Sequence, residues 1–477
     1  MTSTTTRPVL SKDGGTDNRP GLLLGVVLAA QFMALLDVFI VNVAAPTIRV
    51  ELAASGAALQ LVVAGYTVSY AVLLITGARL GDLIGHRRTY LGGLALFTTA
   101  SLACGLASGT GQLIAFRLVQ GAGSALMIPQ VLSLIQRNFT GENRARALGA
   151  YSAVLATGAA AGQVVGGILV SADLFGTGWR PVFLVNVPIG LALLALGART
   201  LPRDDRTGPG RTRALDLPGL LLLAAAVSLL TVPLVLGEEQ GWPLWAWLSL
   251  GGSLLLLAVF VAYESGLARR GGAPLIAPRV LRVPGMGRAV LRIAVAMGVN
   301  AGFLFTLTLH LQGGLGHSAL RAGLTFGPAA VVFGVVGLTW RRWPARTQRA
   351  LIPGGFLLTA ASALGLGLSL GGGGAGGPGL YPALCGLGAG IALAFSPALT
   401  GALATVRPED AADAGGLLAT VTQLGQLVGV AAFGTLFLGR LTGPGAQASA
   451  DALWATTLAL AAAALVGAVA GPSRRAR

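Results

Sequence analysis

Fourteen apolar stretches of about twenty residues follow one another along a chain of 477, and arginines gather in every second gap between them. A hydrocarbon core of about 30 Å needs about 20 helical residues at 1.5 Å each. Stretches of that length, repeated this often, leave almost no room for a soluble domain. The chain is therefore expected to be an all-α polytopic membrane protein with 14 spans, near 21–43, 57–79, 89–108, 111–134, 145–170, 181–199, 215–236, 245–264, 289–310, 322–340, 350–370, 380–400, 413–438 and 450–470. Its function must lie within or between those helices.

Composition agrees: hydrophobic residues make up 54% of the chain and charged ones 10%, and the mean hydropathy is +0.75. Such a chain cannot fold as a soluble globule. The net charge of +16 invites a nucleic-acid reading, but the positions of the basic residues argue against it. Of 33 Lys and Arg, 28 fall in one set of loops and tails, 4 in the opposite set, and one, Arg117, inside a span. That asymmetry is the positive-inside signature, so both termini are expected in the cytoplasm and no nucleic-acid partner is expected. The first stretch, near Gly21, is too long for a signal peptide's apolar region and is followed by no A-x-A cleavage pattern, so it is expected to remain a span. Cys104 and Cys385 lie far apart within predicted helices, which excludes a disulfide framework or metal cluster.

Two basic, Pro-containing linkers, Arg199 to Arg213 and Arg269 to Arg288, isolate the seventh and eighth spans. The expected organisation is a tail (1–20), a six-helix bundle (21–200), a linker with helices 7–8 as an inserted pair (201–270), a second linker with a second six-helix bundle (271–470), and a tail (471–477). One chain supplies both bundles, so a monomer suffices.

Of the 17 acidic residues, only Asp37 sits well inside an apolar span. An intramembrane carboxylate is costly and marks a function by default. Asp37 is either a structural carboxylate held by a helix–helix hydrogen bond or a site for a proton or a cation. Arg117, among apolar neighbours in the fourth span, needs a partner or a water-filled cavity; hydrogen bonds to backbone carbonyls are its bland alternative. Each residue lies six positions from the same membrane boundary, roughly 9 Å deep at 1.5 Å per residue. They are therefore expected to face one cavity and to pair while Asp37 is ionised. His86, His310 and His317 read as interfacial or solvated, and no metal site is expected.

The turn after the second span, Gly77-Ala78-Arg79-Leu80-Gly81-Asp82-Leu83-Ile84-Gly85-His86-Arg87-Arg88, resembles the signature loop of the major facilitator superfamily, G-x-L-a-D-r-x-G-r-[RK], with Leu80, Asp82, Gly85 and Arg87 in register. Arg117-x-x-Gln120-Gly121-x-Gly123 is similar to the family's fourth-helix motif R-x-x-q-G-x-g. Leu36-Asp37-Val38-Phe39-Ile40-Val41-Asn42-Val43-Ala44-Ala45-Pro46 resembles the first-helix motif of its drug:proton antiporters, with Phe39 and Ala45 as departures. Trp179-Arg180-Pro181 through Asn186-Val187-Pro188-Ile189-Gly190 is similar to an element of the fourteen-helix branch. Gly158-Ala159-Ala160-Ala161-Gly162-Gln163-Val164-Val165-Gly166-Gly167 resembles the antiporter motif g-x-x-x-G-P-x-x-G-G, except that Gln163 replaces its proline.

The resemblance implies a secondary active transporter of the bacterial plasma membrane, working by alternating access and exporting small hydrophobic drugs or natural products against inward proton flow. Asp37, Arg117, Gln120 and Gln163 are its expected proton-coupling or cavity residues. Asp82, Gly85, Arg87 and Arg88 form a conformational latch, with Asp82 docking near Arg407 at the start of the thirteenth helix. Gly158, Gly162, Gly166 and Gly167 allow close helix packing. No cofactor is expected, and no nucleotide-binding loop is present. The alternative left open by Gln163 is the same fold moving a lipid, siderophore or metabolite by symport or uniport. A membrane-embedded enzyme would need clustered intramembrane nucleophiles, acids or metal ligands that the sequence lacks.

Overall fold

The structure, a computed structural model, describes residues 20–173, 176–204, 216–237, 240–272, 274–275, 278–348, 350–407 and 411–470. The expected tails and most of the first linker lie outside them. Fourteen long helices run through the described residues: α1 Pro20–Glu51, α2 Gly56–Ile84, α3 His86–Gly105, α4 Thr110–Asn138, α5 Gly141–Ala172, α6 Pro181–Thr200, α7 Leu217–Leu236, α8 Leu244–Arg269, α9 Met286–Leu309, α10 Ala319–Thr339, α11 Leu351–Ser369, α12 Leu380–Ala404, α13 Ala411–Arg440 and α14 Ala446–Val469.

Twelve of these, among the described residues, are long and apolar enough to cross a membrane. The two outside that set, against the fourteen spans expected, are α3 and α5. The α3 helix opens on His86, Arg87 and Arg88 and carries Thr98, Thr99 and Ser101, three hydroxyls that donate back to carbonyls of their own helix. The α5 helix opens on charged residues, and its longest apolar stretch among the described residues is Ala161–Ala172. Its Gly and Ala serve close packing rather than contact with lipid.

Helix ends also differ from the expected spans. The first helix continues through Pro46 to Glu51, eight residues past Val43. Ala44, Ala45 and Ile48 are fully buried there, and this packing outweighs the proline's missing N–H.

Lipid tails are as apolar as leucine, so helix association here rests on close approach rather than on exclusion of water. Glycines permit that approach in both halves of the chain. A Cβ on Gly121 of α4 would lie 2.2 Å from the Tyr66 carbonyl oxygen of α2, and one on Gly93 of α3 would lie 2.7 Å from that of Gly123 on α4. In the second half, a Cβ on Gly429 of α13 would lie 2.1 Å from the Gly298 carbonyl of α9, and one on Gly355 of α11 would lie 2.7 Å from that of Gly390 on α12. Within the first half α2 packs on α4, α3 on α4 and α1 on α5, and within the second α9 packs on α13 and α11 on α12 and α14; α7 and α8 pair, and α7 leans on α2 and α13. Thr435 of α13 ties down that seam by donating to the Leu234 carbonyl of α7 at 2.7 Å.

The halves meet along α2 with α13 and α5 with α10. At the bundle end opposite the chain termini they are in direct backbone contact. A Cβ on Gly323 of α10 would lie 2.3 Å from the Gln163 carbonyl oxygen, and one on Gly167 would lie 2.7 Å from the Leu320 Cα. The Leu320 N–H donates to Ser171 Oγ at 2.9 Å, and Gln312 Nε2 donates to the Val43 carbonyl at 2.9 Å. Gln312 sits in a π-helical turn, His310–Gly314, that continues α9.

Candidate functional site

Helices α4 and α6 meet the carboxylate of Asp37 on α1, and α2 and α3 hold the α4 side chains that reach it. Asp37 has 0% exposure and Arg117 1%. Arg117 and Gln120 are three residues apart on α4 and so share a face. Arg117 Nη1 donates to Asp37 Oδ2 at 2.5 Å and to Gln120 Oε1 at 2.7 Å, while its Nε donates to the Val62 carbonyl of α2 at 3.1 Å. Gln120 Nε2 donates both to Asp37 Oδ1 (2.8 Å) and to Ser101 Oγ of α3 (2.8 Å). Asn186 of α6 donates its Nδ2 to Asp37 Oδ1 at 2.9 Å. The rings of Tyr66 and Phe183 lie 4.8 and 5.6 Å from the guanidinium carbon, within cation–π range.

The carboxylate thus accepts three donors and is paired with a single guanidinium. Arg117 both meets backbone and pairs with Asp37, combining the two alternatives the sequence left open. Such a pair in a low-dielectric interior persists because each member cancels the other's desolvation cost. Protonation of Asp37 removes that balance and leaves Arg117 as a buried, unneutralised cation.

Asn186 and Ser101 are part of this cluster and were given no role from the sequence. Asn186 carries a signal even so: it is a carboxamide inside the apolar run Phe183-Leu184-Val185-Asn186-Val187, and a buried amide needs partners.

A small cavity of about 20 Å³, room for about one water, lies between the two halves. It is bounded by α1 and α2 from the first half and α9 and α13 from the second, with Phe39, Asn42, Thr67, Asn300 and Gln426 among its walls. Asp37, Arg117 and Gln120 do not line it; they face the interior of the first half. Helix α1 connects the two places, presenting Asp37 to α4 and α6 while Phe39 and Asn42 face the cavity.

Gln163 lies apart from both. It is 1% exposed where α5 meets α1 and α10, and neither atom of its side-chain amide has a partner among the described residues. The glycines around it divide their contacts. Gly158, Gly162 and Gly166 press on Leu35, Phe39 and Ile40 of α1, and Gly167 presses on α10.

The turn between α2 and α3 is anchored within the first half. Gly85 has φ +105°, a conformation that disfavours any side chain. Beyond it the Arg87 and Arg88 backbone N–H groups donate to the Asp204 carboxylate at 3.1 and 3.3 Å, and Arg87 Nη2 donates to the Ala198 carbonyl at 2.6 Å. A carboxylate at a helix N-terminus is the arrangement the helix dipole favours. The side chain of Asp82, and with it the expected docking near Arg407, lies outside the described residues.

Two histidines read as interfacial or solvated are buried instead. His86 is 5% exposed, its Nδ1 2.7 Å from Gln130 Oε1, and His310 is 0% exposed, its Nδ1 2.9 Å from Ser449 Oγ. In each case an adjacent helix covers a residue that lies at the edge of an apolar run. His317, between α9 and α10, has its pKa held below the ordinary value by burial, with Arg321 beside it adding to the effect. It is neutral at pH 7.

The sequence model of the Major Facilitator Superfamily matches residues 27–430. The chain is 42% identical over 440 residues to a protein of Streptomyces coelicolor described as a probable actinorhodin transporter, covering 90% of this chain and 74% of that protein. It is 39% identical over 446 residues to the cephamycin export protein of Amycolatopsis lactamdurans, covering 92% of this chain and 89% of that protein. Among solved structures, a bacterial homologue of the human lysosomal transporter Spinster superposes with a TM-score of 0.68 over 96% of this chain and 97% of its own, at 17% identity. At that identity the likeness concerns the fold.

Proposed function

Because the chain belongs to the major facilitator superfamily, and is thus a multi-pass membrane transporter rather than an enzyme, we propose that it exports a natural-product antibiotic from a bacterial cell in exchange for protons. In this reading all fourteen long helices span the plasma membrane, the inserted pair α7–α8 flanks two six-helix bundles, and both termini are cytoplasmic. The bundle end opposite the termini then faces outside, and the substrate passes between the halves when they separate around the small space at their interface.

The observation that carries the proposal is the Asp37–Arg117 pair, sealed at 0% and 1% exposure inside the first bundle. A carboxylate so placed has no structural need to be ionisable, since a neutral hydrogen-bonding side chain would cost less to bury. What it adds is a charge that one proton removes. The relatives' printed activities, actinorhodin transport and cephamycin export, support a natural product as the cargo.

The coupling follows from α1. Substrate between the separated halves presses on the Phe39 and Asn42 face, while proton occupancy acts on the Asp37 face of the same helix. With Asp37 ionised, Arg117 and Gln120 of α4 and Asn186 of α6 clamp α1 to the first bundle. With Asp37 protonated, the ion-pair part of the clamp is lost and α1 shifts relative to α5, against which Gly158, Gly162 and Gly166 let it slide closely. That movement passes through α5 to α10, where Gly167 and Gly323 make the seam between the halves, so that the form protonated from outside closes its outer end, releases its proton to the cytoplasm, and opens outward again once ionised and carrying substrate. Release of substrate and return of the proton inward complete the exchange.

The test is reconstitution in liposomes with an imposed pH gradient and a panel of labelled antibiotics. Accumulation driven by the gradient and abolished by a protonophore is the expected result. Substrate movement that only equilibrates and ignores the gradient would refute proton exchange and favour uniport.

A further inference from the structure

The bundle end that carries the chain termini is rich in arginine, but its arginines differ in what they meet. On the first half they find carboxylates: the N–H groups of Arg87 and Arg88 reach Asp204, and Arg146 Nη2 donates to Glu142 at 2.7 Å. Along the second half no acidic residue and no lysine occurs between Glu264 and Glu409, so arginine carries all of the formal charge in that stretch. Three of these arginines, Arg341, Arg342 and Arg346, stand with Trp340 and Trp343 in the short connection from α10 to α11.

The backbone of this connection is held in place. It passes through a 3-10 turn, Trp340–Arg342, and Gln348 Nε2 donates to the carbonyls of Arg341 and Trp343 at 3.2 and 2.9 Å. Arg341 lies over the Trp340 ring at 5.6 Å and reaches Thr400 Oγ1 of α12 at 3.4 Å. Arg342 and Arg346 are exposed, and their side chains have no ion pair or hydrogen bond among the described residues. Trp343 is 37% exposed. In the two turns of α10 that lead into the connection, Val331, Val335 and Leu338 are each more than half exposed, at the i, i+4, i+7 spacing of one helix face.

Charges that serve topology alone need neither a fixed backbone nor tryptophans beside them. Here an apolar face, indole rings and guanidinium groups succeed one another in the order of acyl chain, interface and headgroup in a bilayer. A zwitterionic headgroup would leave the arginines unbalanced in a stretch without carboxylates. An anionic phosphodiester balances them and accepts the paired N–H groups of a guanidinium.

We propose that the α10–α11 connection binds an anionic glycerophospholipid, with an acyl chain along Val331, Val335 and Leu338, the phosphate between Arg342 and Arg346, and Trp343 beside the ester groups. The site lies at the end of α10 opposite Leu320 and Gly323 and does not depend on proton exchange.

Brominated lipids test this on the purified full-length protein in phosphatidylcholine bilayers, because bromine on an acyl chain quenches indole emission at short range. The difference between the parent chain and Trp343→Phe isolates the emission of Trp343. Dibrominated phosphatidylglycerol is expected to quench it at a mole fraction at least about tenfold lower than dibrominated phosphatidylcholine does. Arg342→Gln and Arg346→Gln should each reduce that preference by about fivefold, and the double variant should remove it. Arg269→Gln/Arg270→Gln, which takes the same charge from the exposed end of α8, should leave the preference intact. Each variant is first shown to elute as a single species; if the double variant does not, the two single variants carry the test. Equal quenching by the two lipids, an unchanged preference in both single variants, or an equal loss in the Arg269/Arg270 variant would overturn the proposal. Displacement of the brominated phosphatidylglycerol by glycerol phosphate would overturn it too, since the connection would then take a soluble anion. If the lipid preference holds while no gradient-driven flux is seen, the proton-exchange reading fails and the lipid site stands.

Discussion

Removing either member of the Asp37–Arg117 pair should cost far more than removing both. In Asp37→Asn, Arg117 keeps the Gln120 Oε1 and Val62 carbonyl acceptors and the Tyr66 ring, but its charge has no counter-ion in a site of 1% exposure. In Arg117→Gln, the carboxylate keeps the Gln120 and Asn186 donors and is likewise left as an unbalanced charge. Breaking a buried ion pair from one side costs about 3–5 kcal/mol, whereas replacing both charges together is often close to neutral. The singles therefore sum to roughly 6–10 kcal/mol on that scale. The double variant Asp37→Asn/Arg117→Gln should lie well below either single, giving a coupling energy of at least about 3 kcal/mol, at the upper end for contacting residues. The assay is unfolding by increasing SDS fraction in mixed micelles, followed by circular dichroism, for wild type, both singles and the double. Additivity within about 0.5 kcal/mol, the figure for independent sites, would refute the clamp.

At the seam between the halves, Gly323→Val should block approach to the Gln163 carbonyl. A cysteine pair Ser171→Cys/Leu320→Cys should then cross-link several-fold more slowly, and unchanged cross-linking would mean that α5 and α10 do not close there. At the α2–α3 turn, Gly85→Ala should destabilise by at least about 1 kcal/mol from its positive φ, and Asp204→Asn by about 0.3–2 kcal/mol from the lost helix-terminus charge. Micelle unfolding reads both, and neither should alter the ratio of protons to substrate. Replacing Asn186 by Leu removes one donor to Asp37 Oδ1 and should slow gradient-driven transport several-fold while sparing gradient-free exchange; unchanged gradient-driven transport would separate Asn186 from the coupling site.

The membrane character and the pairing partner of Asp37 were legible because both leave a mark on sequence: apolar runs of span length, and charges where charges are costly. Asp37 and Arg117 announced themselves as isolated ions among apolar neighbours. Other parts of the site depend on which helices become neighbours. Asp204 reaches Arg87 across 117 positions, and nothing local in the sequence links them. Depth along a helix axis says nothing about rotation around it, so the sequence did not tell that the Asp37–Arg117 pair lies inside the first half and away from the space between the halves. The α1 helix carries the carboxylate on one face and the cavity wall on another. Apolar runs also mark the part of a helix that meets lipid rather than its full length, which is why α1 extends past Val43.

The most direct test of proton coupling compares wild type with Asp37→Asn in two assays on the same proteoliposomes. One is substrate accumulation driven by a pH gradient, with proton flux recorded; the other is exchange of labelled for unlabelled substrate with no gradient. Wild type should perform both. Asp37→Asn should retain exchange, which needs only the moving halves, and lose accumulation together with substrate-triggered proton flux. Gradient-driven accumulation at the wild-type rate in Asp37→Asn would contradict the account and place the coupling proton elsewhere.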